Sequence, residues 1–170
     1  MKLITLAGFL CLAVSAMAQT VHFDYDRTAN FNGYRTYQWV DQRTGLGIDQ
    51  LTDQNIKRAV DQQLVLKGLQ RVESGGDLQL TYQTALNHEK QFNAFGSGPR
   101  WNGWGQVNTS TIEVGKLVVD LYDPAKKQLV WRGDAEKTLD IKKDPDKNYR
   151  NLEKAMAKLF KNYPPGSSKK

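Results

Sequence analysis

Apolar and polar side chains alternate at two places near the start of the chain and then recur with a longer period. Every second residue is apolar or aromatic from Val21 to Tyr25 and again from Thr36 to Val40, which predicts two half-buried strands. From Leu51 to Leu66 the apolar residues return after three or four positions, as on one face of an α-helix. We expect Thr52 to cap the start of this helix and Gly68 to end it.

Alternation returns after the helix and predicts four further strands. Two short strands are expected over Leu69 to Val72 and Leu78 to Leu86, and a hairpin follows with a turn at Asp123 to Lys126. Gly133 falls on the inward side of the return strand, where it leaves room for a bulky neighbour or marks a bulge. The inward positions of that return strand are Leu129, Trp131, Gly133, Ala135, Leu139 and Ile141.

A second amphipathic helix is predicted at the end of the chain. Asp144 and Pro145 have the residue types that begin a helix, and an apolar stripe continues from Tyr149 until Pro164 and Pro165 stop it. Two such helices cannot bury their stripes on each other and also cover the apolar face of six strands. We therefore predict an α+β fold, with an open, largely antiparallel sheet and both helices packed on one face.

The first 18 residues have the composition of a cleavable export signal. Lys2 precedes an apolar run from Leu3 to Val14, which is shorter than the roughly 20 residues of a membrane-spanning helix, and small residues follow it. We predict a signal peptide over 1–18 and a single domain over 19–163. The basic tail 164–170 is predicted to be disordered.

Export would place the mature protein in the periplasm or outside the cell, with association to the outer membrane left open. The only cysteine, Cys11, lies inside the signal, so the mature chain has no disulfide, thiol nucleophile or cysteine metal ligand. Hydrophobic packing alone must then hold the domain together. No transmembrane segment is predicted in the mature chain.

The chain carries a net charge of +6, and its basic residues are concentrated toward the C-terminal end. They favour either contact with an acidic surface, such as phospholipid head groups or envelope polymers, or simply a solvated helix face and tail. Nucleic acid is not an expected partner, because no recognisable binding motif is present. The basic residues concerned are Lys142, Lys143, Lys147, Arg150, Lys154, Lys158, Lys161, Lys169 and Lys170.

The first predicted strand offers a histidine and two carboxylates on one side. His22, Asp24 and Asp26 share its polar face by alternation, and such residues can hold a divalent cation. Side chains on the same face of a strand stand about 7 Å apart, so one strand cannot close a site alone. A solvated polar face is the preferred interpretation, and we predict no metal.

No assembled set of catalytic residues is visible in the sequence. The serines stand in no G-x-S-x-G turn, and His88 belongs to no H-E-x-x-H pattern. Asp120 can share a sheet face with Arg132 and Asp134, which is typical of cross-strand ion pairing on a solvated sheet. We therefore predict no catalytic residue and no cofactor.

A segment rich in glycine and aromatic residues is the best candidate for a binding site. Phe92 to Gln106 is predicted to be a mobile loop, because its glycines and proline suit no regular element. Phe95, Trp101 and Trp104 are costly to leave in water, so they fold back on the sheet, stack on a ligand such as a sugar ring, or enter a partner or membrane surface.

Six short motifs make the chain similar to a known family. They are Phe23-Asp24-Tyr25-Asp26, Tyr37-Gln38-Trp39, Lys67-Gly68-Leu69, Asp77-Leu78-Gln79-Leu80, Gly115-Lys116-Leu117-Val118-Val119-Asp120 and Val130-Trp131-Arg132-Gly133. With them the chain resembles the DUF4136 family of bacterial envelope proteins. The resemblance implies an envelope address and a fold, and no catalytic residues, because the family has no established activity. Many relatives look like lipoproteins, whereas this chain lacks a usable lipid-attachment cysteine.

The sequence therefore favours an exported, non-catalytic protein of the Gram-negative envelope that binds or scaffolds an envelope component, whether protein, glycan or anionic lipid. One alternative is a hydrolase acting on an envelope polymer, with acids drawn from Asp24, Asp26, Asp120 or Asp134. Another is a peripheral membrane-binding protein that uses lysine-rich segments and interfacial tryptophans.

Overall fold

The computed structural model describes residues 20–40, 48–94, 107–138 and 144–166. The order of elements follows the sequence prediction, with a 3-10 turn added at Phe31–Gly33 and another at Phe160–Asn162. The strands and helices are β1 (Thr20–Tyr25), β2 (Thr36–Trp39), α1 (Gln50–Leu66), β3 (Gln70–Arg71), β4 (Leu78–Ala94), β5 (Val107–Asp123), β6 (Gln128–Thr138) and α2 (Pro145–Leu159).

The six strands form one open sheet in the order β1-β6-β5-β4-β2-β3. Antiparallel pairing joins β1 to β6, β6 to β5 and β5 to β4. By contrast, β2 pairs parallel with both β4 and β3. The sheet is therefore mixed, and the prediction of a largely antiparallel sheet was wrong. The physical reason is α1, which carries the chain back after β2 so that the next strands start from the same end of the sheet.

Both helices pack on the same face of this sheet, as the sequence predicted. The alternate apolar residues of the strands and the stripes of the helices form one continuous core. Leu64 of α1 and Met156 of α2 are fully buried there, as are Leu80 and Val119 of the central strands. The opposite side, here called the open face, carries mostly polar side chains, so the molecule has two layers.

One predicted inward residue lies on the open face instead. The ladder between β5 and β6 is regular as far as Leu121 opposite Trp131, and then shifts so that Tyr122 lies opposite Leu129. The extra residue, Val130, forms a bulge, and a bulge reverses the face of every residue beyond it. Leu129 is accordingly 39% exposed. Leu139 and Ile141 lie outside the described residues.

Gly133 is inward-facing and leaves room for a bulky neighbour, which is Trp131. A Cβ at this position would meet the indole ring of Trp131 and would lie 2.8 Å from Cδ1 of Leu159. The indole also stacks on Phe160 at 5.0 Å and contacts Tyr163 edge-on at 5.7 Å. The sequence motif Trp-Arg-Gly thus packs the end of α2 onto the sheet.

Side chains cap the first turn of both helices, but one of the caps is not the predicted residue. Asp49 caps α1, because its carboxylate accepts hydrogen bonds from the backbone N–H and the hydroxyl of Thr52. Thr52 is therefore the donor rather than the cap. Asp144 caps α2 with Pro145 in the first turn, as predicted. Gly68 follows α1 with a φ of 85°, which suits glycine.

Asp77 fastens the start of β2 to the start of β4. Its carboxylate accepts hydrogen bonds from the backbone N–H groups of Arg35 and Thr36 at 2.8 and 2.9 Å, and from the Thr36 hydroxyl at 3.0 Å. These bonds to the charged form hold the pKa of Asp77 below its ordinary value. The parallel pairing of the two strands thus begins at a clamp made by one carboxylate.

This clamp predicts a loss of stability in acid. Because the folded pKa is depressed, the stabilisation is present above the unfolded value of about 3.9 and is lost as the pH falls through the folded pKa. We expect Asp77→Asn to lower the melting temperature at neutral pH and to reduce its further fall below about pH 4. Glu73→Gln, at an exposed residue of the same turn, should leave the acid profile unchanged. Identical acid profiles for Asp77→Asn and the natural chain would contradict the assignment.

Candidate functional site

The residues predicted to bind a ligand, Phe95, Trp101 and Trp104, lie outside the described residues. The structure describes the two strands that lead into and out of their segment. β4 continues to Ala94 and β5 starts at Val107, and these two residues are paired. The segment 95–106, here called the aromatic loop, therefore connects the far ends of two long paired strands.

These paired strands extend beyond the pairs that their neighbours make in the described part of the chain. There the last pair of β6 is Thr138 opposite Val114, and the last pair of β2 is Trp39 opposite Leu80. β4 and β5 continue for seven more residue pairs, from His88 opposite Glu113 to Ala94 opposite Val107. This two-stranded extension, residues 88–94 and 107–113, is here called the arm. At the rise of a strand it is about 20 Å long.

The arm is the feature that sequence reasoning missed. The fourth strand was predicted to end at Leu86, and Phe92 was assigned to the loop, whereas both Phe92 and Ala94 belong to β4. A signal was present on the other strand, because the run from Val107 to Val114 is rich in β-branched threonine, valine and isoleucine. A strand over these residues needs a partner strand of similar length, because its backbone groups must be paired.

Ion pairs cover the open face near β1, β6 and β5. His22 on β1 lies 3.3 Å from the carboxylate of Asp134, measured from its Nδ1 atom. Lys116 contacts both Glu136 at 2.8 Å and Asp134 at 3.6 Å. The hydrogen bond from Lys116 to Glu136 raises the pKa of the lysine above its ordinary value. Cross-strand pairing of this kind is what the sequence predicted for this face.

Asp120 makes the strongest of these pairs. Its two carboxylate oxygens accept hydrogen bonds from Nε and a terminal nitrogen of Arg132 at 2.6 and 2.7 Å. Asp120 is 8% exposed, and this bidentate bond raises the pKa of Arg132. On the neighbouring strand β1, Asp24 lies opposite Arg132.

The four aspartates considered for catalysis do not share the depression on the open face. This depression of about 200 Å³ is bordered by one of them, Asp120. This volume is below the roughly 300–1,000 Å³ of common ligand pockets. Asp26 lies one residue beyond the end of β1. The hydroxyl and backbone N–H of Thr28 bond its carboxylate and hold the pKa of Asp26 below its ordinary value.

The described residues contain no group of three side chains able to hold a metal ion. His22 and Asp134 form a pair of possible ligands, but Lys116 contacts the same carboxylate oxygen of Asp134. A cation at this position would meet the lysine ammonium group. The side chain of His88 lies outside the part of the chain whose side chains are described.

A half-buried carboxylate on α1 joins the helix to the edge of the sheet. Asp61 accepts hydrogen bonds from the Tyr37 hydroxyl at 2.7 Å and the Trp39 indole at 2.8 Å, and Arg71 contacts its other oxygen at 3.0 Å. Burial and the adjacent carboxylate raise the pKa of Tyr37, so the phenol remains a donor throughout the neutral and alkaline range. The motif Tyr-x-Trp is thereby explained by structure.

The predicted basic cluster is found in part. Lys142, Lys143, Lys169 and Lys170 lie outside the described residues, and the others are all exposed on α2 or on the 3-10 turn that follows it. In the described part of the chain, neither helix is long and apolar enough to cross a membrane.

A mixed six-stranded sheet with two helices on one face defines a single-domain α+β protein. The chain belongs to the DUF4136 family, because the model of this domain of unknown function matches residues 21–165. The family resemblance noted in the sequence is thus confirmed. No curated protein sequence shows a significant match to the chain.

Two solved structures share the fold at low sequence identity. A PDZ domain protein from Parabacteroides distasonis is 12% identical, with a TM-score of 0.54 over 86% of this chain. The match spans only 36% of that longer protein. The PelC dodecamer from Paraburkholderia phytofirmans is also 12% identical, with a TM-score of 0.52 over 84% of this chain and 95% of PelC. A second crystal form of PelC gives a TM-score of 0.51.

Proposed function

We propose that this protein is an exported, non-catalytic component of the bacterial envelope that binds another envelope component through its aromatic loop. The observation that carries the proposal is the arm, whose last pair, Ala94 with Val107, lies about 20 Å along the strands from the last described pair of β6. The aromatic loop, with Phe95, Trp101 and Trp104, connects these two strand ends. The family match begins at residue 21, just after the predicted cleavage of the export signal.

The arm itself supports a binding role. A two-stranded hairpin is only marginally stable in water, and a third strand or a packed layer is needed to stabilise it. Among the described residues, no strand pairs with the arm on either side. A partner seated on the arm and the aromatic loop would supply such a layer.

Self-assembly offers one way to supply such a layer. The PelC structure, which shares the fold, is a dodecamer. A second copy of this chain is therefore included among the envelope components that the arm could contact. The scaffolding role expected from the sequence would follow from such an assembly.

The proposal is tested by replacing Trp101 and Trp104 together with alanine. We expect retention of the purified mature protein on a washed Gram-negative envelope fraction to fall at least about tenfold, because aromatic anchors dominate such interfaces. The melting temperature should not change. A Trp101→Phe, Trp104→Phe variant keeps the aromatic faces and should be retained.

Leu51→Ala provides a matched control outside the loop. Leu51 is 71% exposed in the first turn of α1, so its removal takes away an exposed apolar group without opening the core. Its retention should equal that of the natural chain. Retention of the double alanine variant at the natural level would contradict the proposed role of the loop.

The geometry gives less support to a hydrolase. Asp120 and Asp134 are engaged in ion pairs, and Asp26 accepts a hydrogen bond from Thr28. A hydrolytic pair would require two carboxylates facing one substrate-sized cleft at a defined separation. The binding role therefore remains the preferred proposal.

A further inference from the structure

The outward side of α2 carries a continuous row of positive charge. The row has intervals of three and four residues, which place its members on one side of a helix, and all of them are exposed. It extends for about 20 Å at the rise of an α-helix. The residues of this row, here called the basic stripe, are Lys147, Arg150, Lys154, Lys158 and Lys161.

The two faces of the molecule have opposite charge. The stretch 145–162 has five basic and two acidic side chains, and 50–67 has three basic and two acidic ones. Among the described side chains of the open face, the acidic Asp24, Asp120, Asp134 and Glu136 outnumber the basic Lys116 and Arg132. An anionic surface would therefore attract the helical side of the protein and repel the sheet side.

An exposed apolar pair lies beside the end of the basic stripe. Val65 and Leu66, in the last turn of α1, are 60% and 76% exposed. The next residue, Lys67, donates a hydrogen bond from its Nζ to the backbone oxygen of Lys161 at 3.1 Å, so the two helix ends are adjacent. Aliphatic groups next to lysines are the combination that an interfacial surface of a bilayer accommodates.

We propose that the outer surface of α1 and α2 is a docking face for an anionic lipid bilayer. The basic stripe would contact the head groups, and Val65 and Leu66 would enter the interface between them. The apolar stripes of both helices remain in the protein core, so attachment is peripheral and driven mainly by charge. This proposal concerns residues other than those of the aromatic loop and extends the proposed function.

The first test is sedimentation of the mature protein with vesicles of phosphatidylglycerol and phosphatidylcholine in equal parts. We expect binding at low ionic strength, loss of binding as salt rises toward about 1 M, and little binding to pure phosphatidylcholine. Equal binding to both kinds of vesicle, or binding that salt does not weaken, would overturn the proposal.

The second test reverses two charges of the stripe with Lys147→Glu and Lys154→Glu. Glu at 147 lies in the first turn, where the helix dipole favours it, and Glu at 154 lies four residues from both Arg150 and Lys158. The double variant should therefore fold at least as well as the natural chain. Its affinity for the anionic vesicles should fall at least about tenfold, because each basic residue near the surface contributes.

A matched control makes the same change of net charge elsewhere. Arg27 and Lys127 are exposed in turns of the sheet, and their joint replacement by glutamate should lower vesicle affinity less than about threefold. Equal losses in the two double variants would mean that net charge alone matters, which would refute a specific docking face. Trp101→Ala with Trp104→Ala should bind vesicles normally. Loss of vesicle binding in that variant, with the stripe variant unaffected, would assign the membrane contact to the loop instead.

Discussion

Gly133→Ala is expected to destabilise the protein by about 3 kcal/mol, at the upper end of common overpacking costs. The added Cβ would press on the indole of Trp131 and lie 2.8 Å from Leu159 Cδ1, and both of these side chains are 1% exposed. Trp131 cannot move aside, because Phe160 stacks on it at 5.0 Å. Urea unfolding of the purified domain measures the loss, which corresponds to a fall in melting temperature of roughly 10 °C.

Gly33→Ala is the matched control for this change. A Cβ there would meet only the side chain of Asn30, at 3.2 Å from Nδ2, and that exposed side chain can rotate away. We expect less than about 0.5 kcal/mol of destabilisation at this surface position. Similar losses at positions 33 and 133 would show that the close packing against Trp131 is not what requires a glycine.

Asp61→Ala is the second change with a large expected effect, also about 3 kcal/mol. It removes the acceptor of the Tyr37 hydroxyl and of the Trp39 indole, and Tyr37 is fully buried. A buried donor left without an acceptor costs about 1–3 kcal/mol, so the Tyr37 hydroxyl together with the half-buried Trp39 indole outweighs the better helix propensity of alanine. Chemical unfolding with fluorescence of the tryptophans gives the free energy directly.

Two companion variants identify the cause of that loss. Asp61→Asn keeps a carbonyl oxygen that can accept both hydrogen bonds and loses only the pair with Arg71, whose side chain is 49% exposed. We expect it to cost about 1 kcal/mol or less. Adding Tyr37→Phe to Asp61→Ala should recover part of the lost stability, because no buried hydroxyl is then left without an acceptor. Strictly additive losses would rule out the orphaned-donor explanation.

The sequence predicted the order of strands and helices because the period of its apolar positions matches each element. Val21 to Tyr25 and Thr36 to Trp39 form strands close to the expected bounds, and α1 begins one residue before its predicted start. Gly133 was also recognised as a glycine that accommodates a large neighbour. These successes depend on local spacing, which an isolated sequence records directly.

Two of the errors concern the pairing of strands, and a third concerns the choice between two nearby residues as a helix cap. The parallel pairing of β2 follows from where α1 returns the chain, and the reversal of Leu129 follows from a bulge at Val130. The capping role of Asp49 was assigned to Thr52 three residues later, because both residue types cap helices. Local pattern does not distinguish these alternatives.

The candidate site was predicted only in part. The aromatic loop was chosen from composition, and the arm that carries it was missed because β4 loses its clear alternation after Leu86. The ion pairs of the open face were anticipated from alternation, including Asp120 with Arg132. The basic residues were noted as a cluster from the sequence. The structure was needed to show that part of this cluster lies on one exposed face of α2.

By itself, the sequence determined the order of the strands and helices and the apolar side of most of them, because burial selects side chains at the period of the local backbone. Only the tertiary structure decided how the strands are arranged in the sheet, which way β2 runs, and how far β4 and β5 continue as a pair. It also decided which charges face one another across the two layers. These features arise from contacts between distant segments, and many arrangements of strands satisfy one pattern of apolar positions.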